Sequence, residues 1–224
     1  MFPISVTGYP RSGADAEYEQ GESCRVELLD YRDIGEAESY DKIVSVGMFE
    51  HVGRDKLPEY FSSAWHALRP GGAFLNHGIA CGGGGEARSR TKSRRPSFND
   101  RYVFPDGELV PINVALSAAE ETGFEVRDVE SLREHYTLTL RRWVRRREAK
   151  HKEAKLATDE ATDRVWRLFM SASAYGFSSG RINVYQTLLT KPDGGESGLP
   201  LTRQDWYSDQ GISRSSTKGS SDNR

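Results

Sequence analysis

The stretch YDKIVSVGMFEH, residues 40–51, decides the fold of this 224-residue chain. Residues 42–46 (KIVSV) form a compact run, rich in β-branched side chains, of the kind found in strands buried on both faces. Gly47 ends this run, and the residues that follow include Glu50 and His51. The pattern predicts a buried strand that leads into a strand-to-helix corner.

Strand and helix patterns alternate on both sides of this stretch. Apolar residues recur at helical spacing over residues 57–68, and a further strand begins at residue 73 after the helix breaker Pro70. We also predict strands at residues 4–7, 24–28, 124–129 and 182–189, and helices at residues 112–121, from about residue 136, and at residues 164–174. This alternation indicates an α/β fold with a doubly wound, Rossmann-like sheet. Such sheets bind ligands at the carboxyl ends of their strands, here after Val46 and Leu75.

The composition is that of one folded domain. Hydrophobic residues make up 36% of the chain, and 31 Lys and Arg nearly balance 33 Asp and Glu. These proportions favour a folded protein over a disordered chain. We expect a single domain over residues 1–207, followed by a disordered polar tail over residues 208–224.

Several classes of protein are excluded by what the sequence lacks. Its two cysteines, Cys24 and Cys81, have no metal-type spacing, which fits a reducing compartment and predicts no metal site. No apolar run approaches the roughly 20 residues of a membrane span, and the first residues do not open a signal peptide. We therefore expect a cytoplasmic protein.

Two groups of basic residues stand out against the net charge of -2. They lie in a loop at residues 88–95 and along a predicted helix at residues 141–155. Such groups bind anionic lipid headgroups or nucleic-acid phosphates, and they also occur on solvated helix faces. Nucleic acid is the less favoured partner, because the basic residues lack interleaved aromatic side chains. We predict peripheral, salt-sensitive contact with an anionic surface at the inner membrane face.

Several blocks along the chain share the pattern of one family. They are DYRD (30–33), YDKIVSVGMFEHVG (40–53), LRPGG (68–72), HGI (77–79), RYVFPDG (101–107), HY (135–136), LRRW (140–143) and the stretch from VWRL (165–168) to GF (176–177). Together they resemble the cyclopropane-fatty-acyl-phospholipid synthases over most of the chain. The resemblance implies the fold of a class I S-adenosylmethionine-dependent methyltransferase.

The activity that this resemblance implies is methyl or methylene transfer from S-adenosylmethionine to the double bond of an unsaturated fatty acyl phospholipid, which forms a cyclopropane ring. In this family a bound bicarbonate takes up the proton lost at ring closure. Its ligands carry over to Glu50, His77, the backbone of Ile79, and Tyr136. Taken singly, these residues also have structural interpretations: an acid at a helix start, a packed histidine, and a phenol at the edge of the core.

The resemblance also implies contacts to the cofactor and to the acyl chain. Asp30 and Tyr31 follow the strand that ends beside adenine in the family, so Asp30 is expected to accept a hydrogen bond from the exocyclic amino group. Aromatic residues that could line an acyl tunnel, or simply pack in the core, are Tyr102, Phe104, Trp143, Phe169, Tyr175 and Phe177.

The chain departs from the family pattern at its beginning. Residues 4–7 already resemble the second strand of the family, and nothing before Ile4 resembles its first strand or its Gly-x-Gly turn. Neither Cys24 nor Cys81 matches the cysteine that helps to hold bicarbonate. We therefore expect an incomplete, truncated methyltransferase domain that binds S-adenosylmethionine weakly or not at all. Alternative functions are methylation of a lipid or another hydrophobic acceptor without ring closure, and a non-catalytic lipid-binding remnant.

Overall fold

The computed structural model describes residues 4–8, 25–35, 37–82, 97–105 and 107–207. The predicted basic loop at residues 88–95 and the predicted polar tail at residues 208–224 lie outside these ranges. Within them the chain forms a sheet covered by helices on both faces, as an α/β protein should.

Six strands lie within the described residues. They are β1 (Ile4–Gly8), β2 (Arg25–Leu29), β3 (Tyr40–Val46), β4 (Leu68–Cys81), β5 (Glu125–Ser131) and β6 (Ile182–Thr190). The larger sheet has the order β3-β4-β6-β5. β3 runs parallel to β4, whereas β6 lies antiparallel between β4 and β5. The carboxyl ends of β3 and β4 therefore meet at one edge of the sheet.

The two N-terminal strands depart from the prediction. We expected residues 4–7 to form the second strand of a parallel sheet, but β1 pairs antiparallel with β2, apart from the larger sheet. In the doubly wound order a central strand separates the second strand from β3, and no described residue supplies it. β3 lies at one edge of the larger sheet, and its Val44 and Val46 side chains are 63% and 66% exposed.

Six α-helices lie in the described part of the chain. They are α1 (Leu57–Ala67), α2 (Phe98–Tyr102), α3 (Ile112–Thr122), α4 (Arg133–Ala149), α5 (His151–Ala157) and α6 (Glu160–Ser178). α1 and α3 cover one face of the larger sheet, where Phe61 of α1 packs edge-to-face on Phe74 of β4 and on Phe124. All three rings are buried, and each contributes on the order of 2 kcal/mol by leaving water.

The opposite face of the sheet is covered by α4 and α6. A smaller core forms there from Leu140 of α4, Phe177 of α6 and Val184 of β6, with Ile79 and Tyr136 packed against it. A buried ion pair between Arg147 of α4 and Asp163 of α6 joins the two helices at their far ends. This arrangement fixes the first turn of α4, which carries Tyr136, against the sheet.

β4 is longer than predicted, and its side chains point alternately to the two cores. α1 ends before Pro70, as expected, but β4 begins at once with Leu68. β4 bulges between Leu68, which pairs with Tyr40 of β3, and Ala73, which pairs with Lys42. Gly71 lies in this bulge and permits it, because its φ of +74° is disfavoured for residues with a side chain. Beyond the bulge, Phe74 faces α1, whereas His77 and Ile79 face α4 and α6.

Candidate active site

The corner after β3 carries a buried carboxyl group. Phe49–His51 form a single 3₁₀ turn, in which Glu50 is only 7% exposed. Its Oε1 accepts a hydrogen bond of 2.6 Å from the backbone amide of Ile79 at the end of β4. Its Oε2 is buried and has no hydrogen-bond partner within the described part of the chain. Burial raises the pKa of Glu50, although the Ile79 amide opposes this shift.

Gly78 allows the corner to sit this close to β4. The ring of Phe49 lies directly over its α-carbon, where any side chain would overlap the ring. A Cβ at this position would also come within 3.3 Å of Glu50 Oε2. The glycine is therefore required for the close approach of the two strand ends.

His77 and Tyr136 lie beside Glu50 on the face covered by α4. The Nε2 atom of His77 is 3.5 Å from the hydroxyl of Tyr136, with the donor set by the histidine tautomer. The Tyr136 ring packs on Phe177, with 5.2 Å between their centroids. Burial lowers the pKa of His77, so the imidazole is neutral at physiological pH. Burial and the nearby Glu50 charge raise the pKa of Tyr136, which keeps its proton.

The structure therefore forms two pairs from the groups that the family resemblance selects, Glu50 with the Ile79 amide and His77 with Tyr136, and the Glu50 charge acts on Tyr136. Two neighbouring strand ends and the first turn of one helix supply them. A buried carboxyl with one unpartnered oxygen, next to a histidine and a phenol, fits a small anion that accepts hydrogen bonds from several sides. Within the described ranges, no cluster of three His, Cys, Asp or Glu side chains is arranged to hold a metal ion.

The predicted cofactor residues lie at the end of β2. Asp30 accepts hydrogen bonds from the Arg32 side chain at 2.7 and 2.8 Å and from its backbone amide at 3.0 Å. These bonds lower the pKa of Asp30 to about 2. Tyr31 packs edge-to-face on the buried Tyr60, 5.7 Å between centroids. Tyr60 hydrogen bonds to Asn76 of β4, so one side chain separates Tyr31 from the strand that carries His77.

The candidate tunnel aromatics divide into two groups. Phe104 packs edge-to-face on His51 and on Phe169, and Phe169 packs in the same way on Trp166. This row runs from the Glu50 corner to α6, while Phe177 lies under Tyr136. The other three candidates are more than half exposed: Tyr102, Trp143 and Tyr175. They do not belong to the aromatic row.

Two polar residues near the site were not singled out from the sequence. Gln186 of β6 pairs directly with His77 across the sheet, on the same face. Glu108 contacts the Glu50 corner through both its backbone and its side chain. The register of β6 could not be read from its apolar pattern, and Glu108 lies in an irregular segment without periodicity. Only the three-dimensional arrangement reveals them.

A family model for mycolic acid cyclopropane synthetases matches residues 11–187 of the chain. The chain belongs to this family. Membership in the cyclopropane synthetase family confirms the resemblance inferred from the sequence blocks. It does not test the roles of the individual site residues, which remain predictions.

Relatives within and beyond the cyclopropane synthetases support the same assignment. The chain is 43% identical to a probable fatty acid methyltransferase of Pseudomonas putida over 184 residues, which cover 81% of this chain and 46% of the relative. It is 29% identical to the cyclopropane-fatty-acyl-phospholipid synthase of Escherichia coli K12, over 90% of this chain and 51% of the relative. The chain thus spans about half the length of these curated relatives.

A solved structure confirms the fold class. The mycolic acid cyclopropane synthase CmaA1, complexed with SAH and CTAB, matches with a TM-score of 0.66 and 27% identity. The match covers 76% of this chain and 62% of CmaA1. Within the described residues, no helix is both long and apolar enough to cross a membrane.

Proposed function

We propose that this chain carries the acid–histidine–tyrosine site of an enzyme that transfers a methyl or methylene group from S-adenosylmethionine to the double bond of an unsaturated fatty acyl phospholipid. The observation that carries the proposal is the pairing of Glu50 with the Ile79 amide, next to a His77–Tyr136 pair whose phenol lies close enough to feel the Glu50 charge. Family membership and the fatty acid methyltransferase from Pseudomonas putida support it.

S-adenosylmethionine would supply a sulfonium methyl group, and bicarbonate would supply a base for the proton lost at ring closure. The residues of this chain would hold that base in place. Burial raises the pKa of Glu50, and its unpartnered Oε2 could donate a hydrogen bond to the anion when the carboxyl group is protonated. His77 and Tyr136 offer further donors from the α4 side. The row from Phe104 to Trp166, whose two ends are 37% and 47% exposed, would offer apolar contacts to the acyl chain.

Asp30 and Tyr31 are the proposed contacts for the adenine of the cofactor. The Asp30 carboxylate already binds Arg32, but a carboxylate has about four lone-pair sites and can accept another hydrogen bond. Tyr31 is half-buried against Tyr60 and offers an aromatic face near the same strand end. Calorimetric titration of the chain and of Asp30→Ala with S-adenosylmethionine measures this contact.

Product analysis tests the transfer reaction. The chain is incubated with vesicles of a dioleoyl phospholipid and S-adenosylmethionine that carries three deuterium atoms on its methyl group. Ring closure leaves two deuterium atoms on a new ring carbon, whereas loss of a proton from the acyl chain leaves all three on a methyl branch. Fragment-ion spectra locate the added carbon. The expected result is label in the acyl chain with Glu50 intact, in the low yield that weak binding of S-adenosylmethionine predicts, and none with Glu50→Gln.

A lipid-binding protein without transfer activity is the second candidate. Val44 and Val46, which are exposed on the edge strand β3, favour it, because exposed apolar side chains are typical of surfaces that bind a lipid or another partner. Vesicle binding without heat from S-adenosylmethionine and without label in the lipid would support this candidate. The same outcome would overturn the proposed transfer reaction.

We also propose that α4 and α5 touch the membrane from which the acyl chain is drawn. The exposed cations of α4 that form no ion pair within the described residues are Arg141, Arg142, Arg145 and Arg146. Trp143 is 52% exposed among them, and Leu156 of α5 is 89% exposed. Exposed apolar side chains between cations are typical of surfaces that bind anionic bilayers.

Vesicle sedimentation tests this surface. The chain should bind vesicles rich in phosphatidylglycerol and release them as the salt concentration rises, with little binding to pure phosphatidylcholine. Replacing Arg141, Arg142, Arg145 and Arg146 by Gln should weaken binding by about 1 kcal/mol for each arginine. Equal binding of the quadruple variant would contradict the proposed surface.

A further inference from the structure

A short extended segment ties the corner after β3 to the end of β4. The amide of Glu108 donates a hydrogen bond of 2.8 Å to the carbonyl of Glu50, and two residues later the carbonyl of Val110 accepts one of 3.1 Å from the amide of Cys81. Val110 is 2% exposed and belongs to the larger core. The segment therefore has a fixed anchor on one side and contacts the Glu50 backbone on the other.

The side chain of Glu108 contacts the same corner at a second point. Its Oε2 accepts a hydrogen bond of 3.0 Å from the amide of Arg54. Residues 54–56 form the 3₁₀ turn that leads directly into α1, and the backbone amides at such a start lack partners within the helix. Glu108 thus holds the corner at both ends, through its backbone at Glu50 and through its carboxylate at Arg54.

Gly53 leaves the space that this contact needs. Its φ is +80°, a conformation that side chains disfavour, and a Cβ there would lie 3.1 Å from Glu108 Oε2. Phe104, four positions before Glu108 in the chain, packs on His51 with 5.5 Å between ring centroids. Residues 50 and 54 of the corner are therefore contacted by Glu108, and His51 is contacted by Phe104.

We propose that Glu108 is a positioning residue, which holds the corner after β3 closed so that the Glu50 carboxyl stays buried against the Ile79 amide. It does not contact the reacting atoms and acts only through the backbone of residues 50–54. The importance of Glu108 for methyl transfer rests on the proposed function, but its effect on Glu50 does not. The effect on Glu50 can therefore be tested without enzymatic activity.

The ionisation of Glu50 in the folded chain is the suitable measurement. Burial is the main cause of the raised Glu50 pKa, so opening of the corner to water should lower it. The other groups that interact with Glu50 are the Ile79 amide and the Tyr60 and Tyr136 phenols, and His77 lies behind Tyr136. Substitution of Glu108 alters none of these groups chemically.

Three substitutions separate the reach of the Glu108 side chain from its charge. Glu108→Gln keeps an oxygen acceptor at the same distance but removes the charge. Glu108→Asp keeps the charge but is too short to reach the Arg54 amide. Glu108→Ala removes both. Glu121→Ala, on an exposed part of α3, is the matched control for loss of an acid.

The pKa of Glu50 is measured by carbon-13 NMR of chains labelled at the glutamate carboxyl carbon, with Glu50→Gln to assign the signal. We expect Glu108→Gln and the control to keep the parent pKa. Glu108→Asp and Glu108→Ala should move it towards the ordinary value of about 4.3. If Glu108→Ala does not fold, the contrast between Gln and Asp decides.

An unchanged Glu50 pKa in Glu108→Asp would overturn the proposal. An equal fall in Glu108→Gln and Glu108→Asp would also overturn it, because the hydrogen bond that Gln keeps would then not preserve the Glu50 pKa. Neither outcome depends on transfer of a methyl group. Failure of the labelled-product assay with a normal NMR result would instead count against the proposed function alone.

Discussion

Replacing Glu50 by Gln should change how the stability of the chain depends on pH. Gln keeps the oxygen that accepts from the Ile79 amide but cannot ionise. In the parent, burial raises the pKa of Glu50 above that of an unfolded chain. The folded state therefore holds the Glu50 proton more tightly than the unfolded state does.

The sign and size of the effect follow from this difference. The contribution of Glu50 to stability is fully present below the unfolded pKa of about 4.3 and is lost as the pH rises through the folded pKa. Each unit of elevation is worth about 1.4 kcal/mol. In Glu50→Gln the side-chain amide nitrogen takes the place of Oε2 and, like Oε2, has no hydrogen-bond partner at any pH. The free-energy cost of this unpaired group is the same at every pH. It therefore shifts the curve of stability against pH without changing its slope.

Urea unfolding, followed by tryptophan fluorescence from about pH 4 to about pH 8, measures the two curves. We expect the stability of Glu50→Gln relative to the parent to increase with pH over this range. Glu59→Gln, at an exposed position of α1, controls for the loss of one acid. Parallel curves for parent and Glu50→Gln would refute the reasoning, because Glu50 would then ionise as freely in the folded chain as in the unfolded one.

Three further substitutions test the surroundings of Glu50. Tyr136→Phe should leave the urea midpoint nearly unchanged, since the ring still packs on Phe177. Loss of the hydroxyl should lower labelled methyl transfer by on the order of 100-fold. Unchanged transfer would contradict a role for the hydroxyl. Gly78→Ala should cost about 1–3 kcal/mol of unfolding free energy, because its Cβ overlaps the Phe49 ring; a cost near zero would contradict the close strand approach. Asp163→Ala should cost about 1.5–3 kcal/mol, since it removes the buried partner of the Arg147 guanidinium and leaves the more exposed Glu148 as its ion-pair partner; a loss near zero on urea unfolding would mean that Glu148 compensates fully.

Local patterns predicted most of the elements that carry the site. The β-branched run at residues 42–46 lies within β3, and the apolar spacing from Leu57 gives α1. The helix predicted at residues 112–121 is α3, one residue longer. These elements could be predicted because burial of one face or of both faces imposes a period on the sequence. The family blocks then selected Glu50, His77 and Tyr136, which the structure brings together.

Pairing between distant segments could not be predicted in the same way. The antiparallel β1–β2 pair and the position of β6 between β4 and β5 depend on backbone hydrogen bonds, which leave no mark on side-chain periodicity. The contact of Glu108 with Arg54 joins residues 54 positions apart. The aromatic candidates were separated only by their packing, with Phe104 in the row and Trp143 exposed.

Bicarbonate binding tests the central claim most directly, namely that Glu50, His77, Tyr136 and the Ile79 amide form one anion-holding site. Carbon-13 bicarbonate is titrated with the chain, and its line width reports the bound fraction without need of S-adenosylmethionine. We predict broadening with the parent, little with Glu50→Gln or His77→Ala, and parent-like broadening with the exposed control Glu121→Ala. Equal broadening by the parent and both site variants, or none by any of them, would contradict the claim.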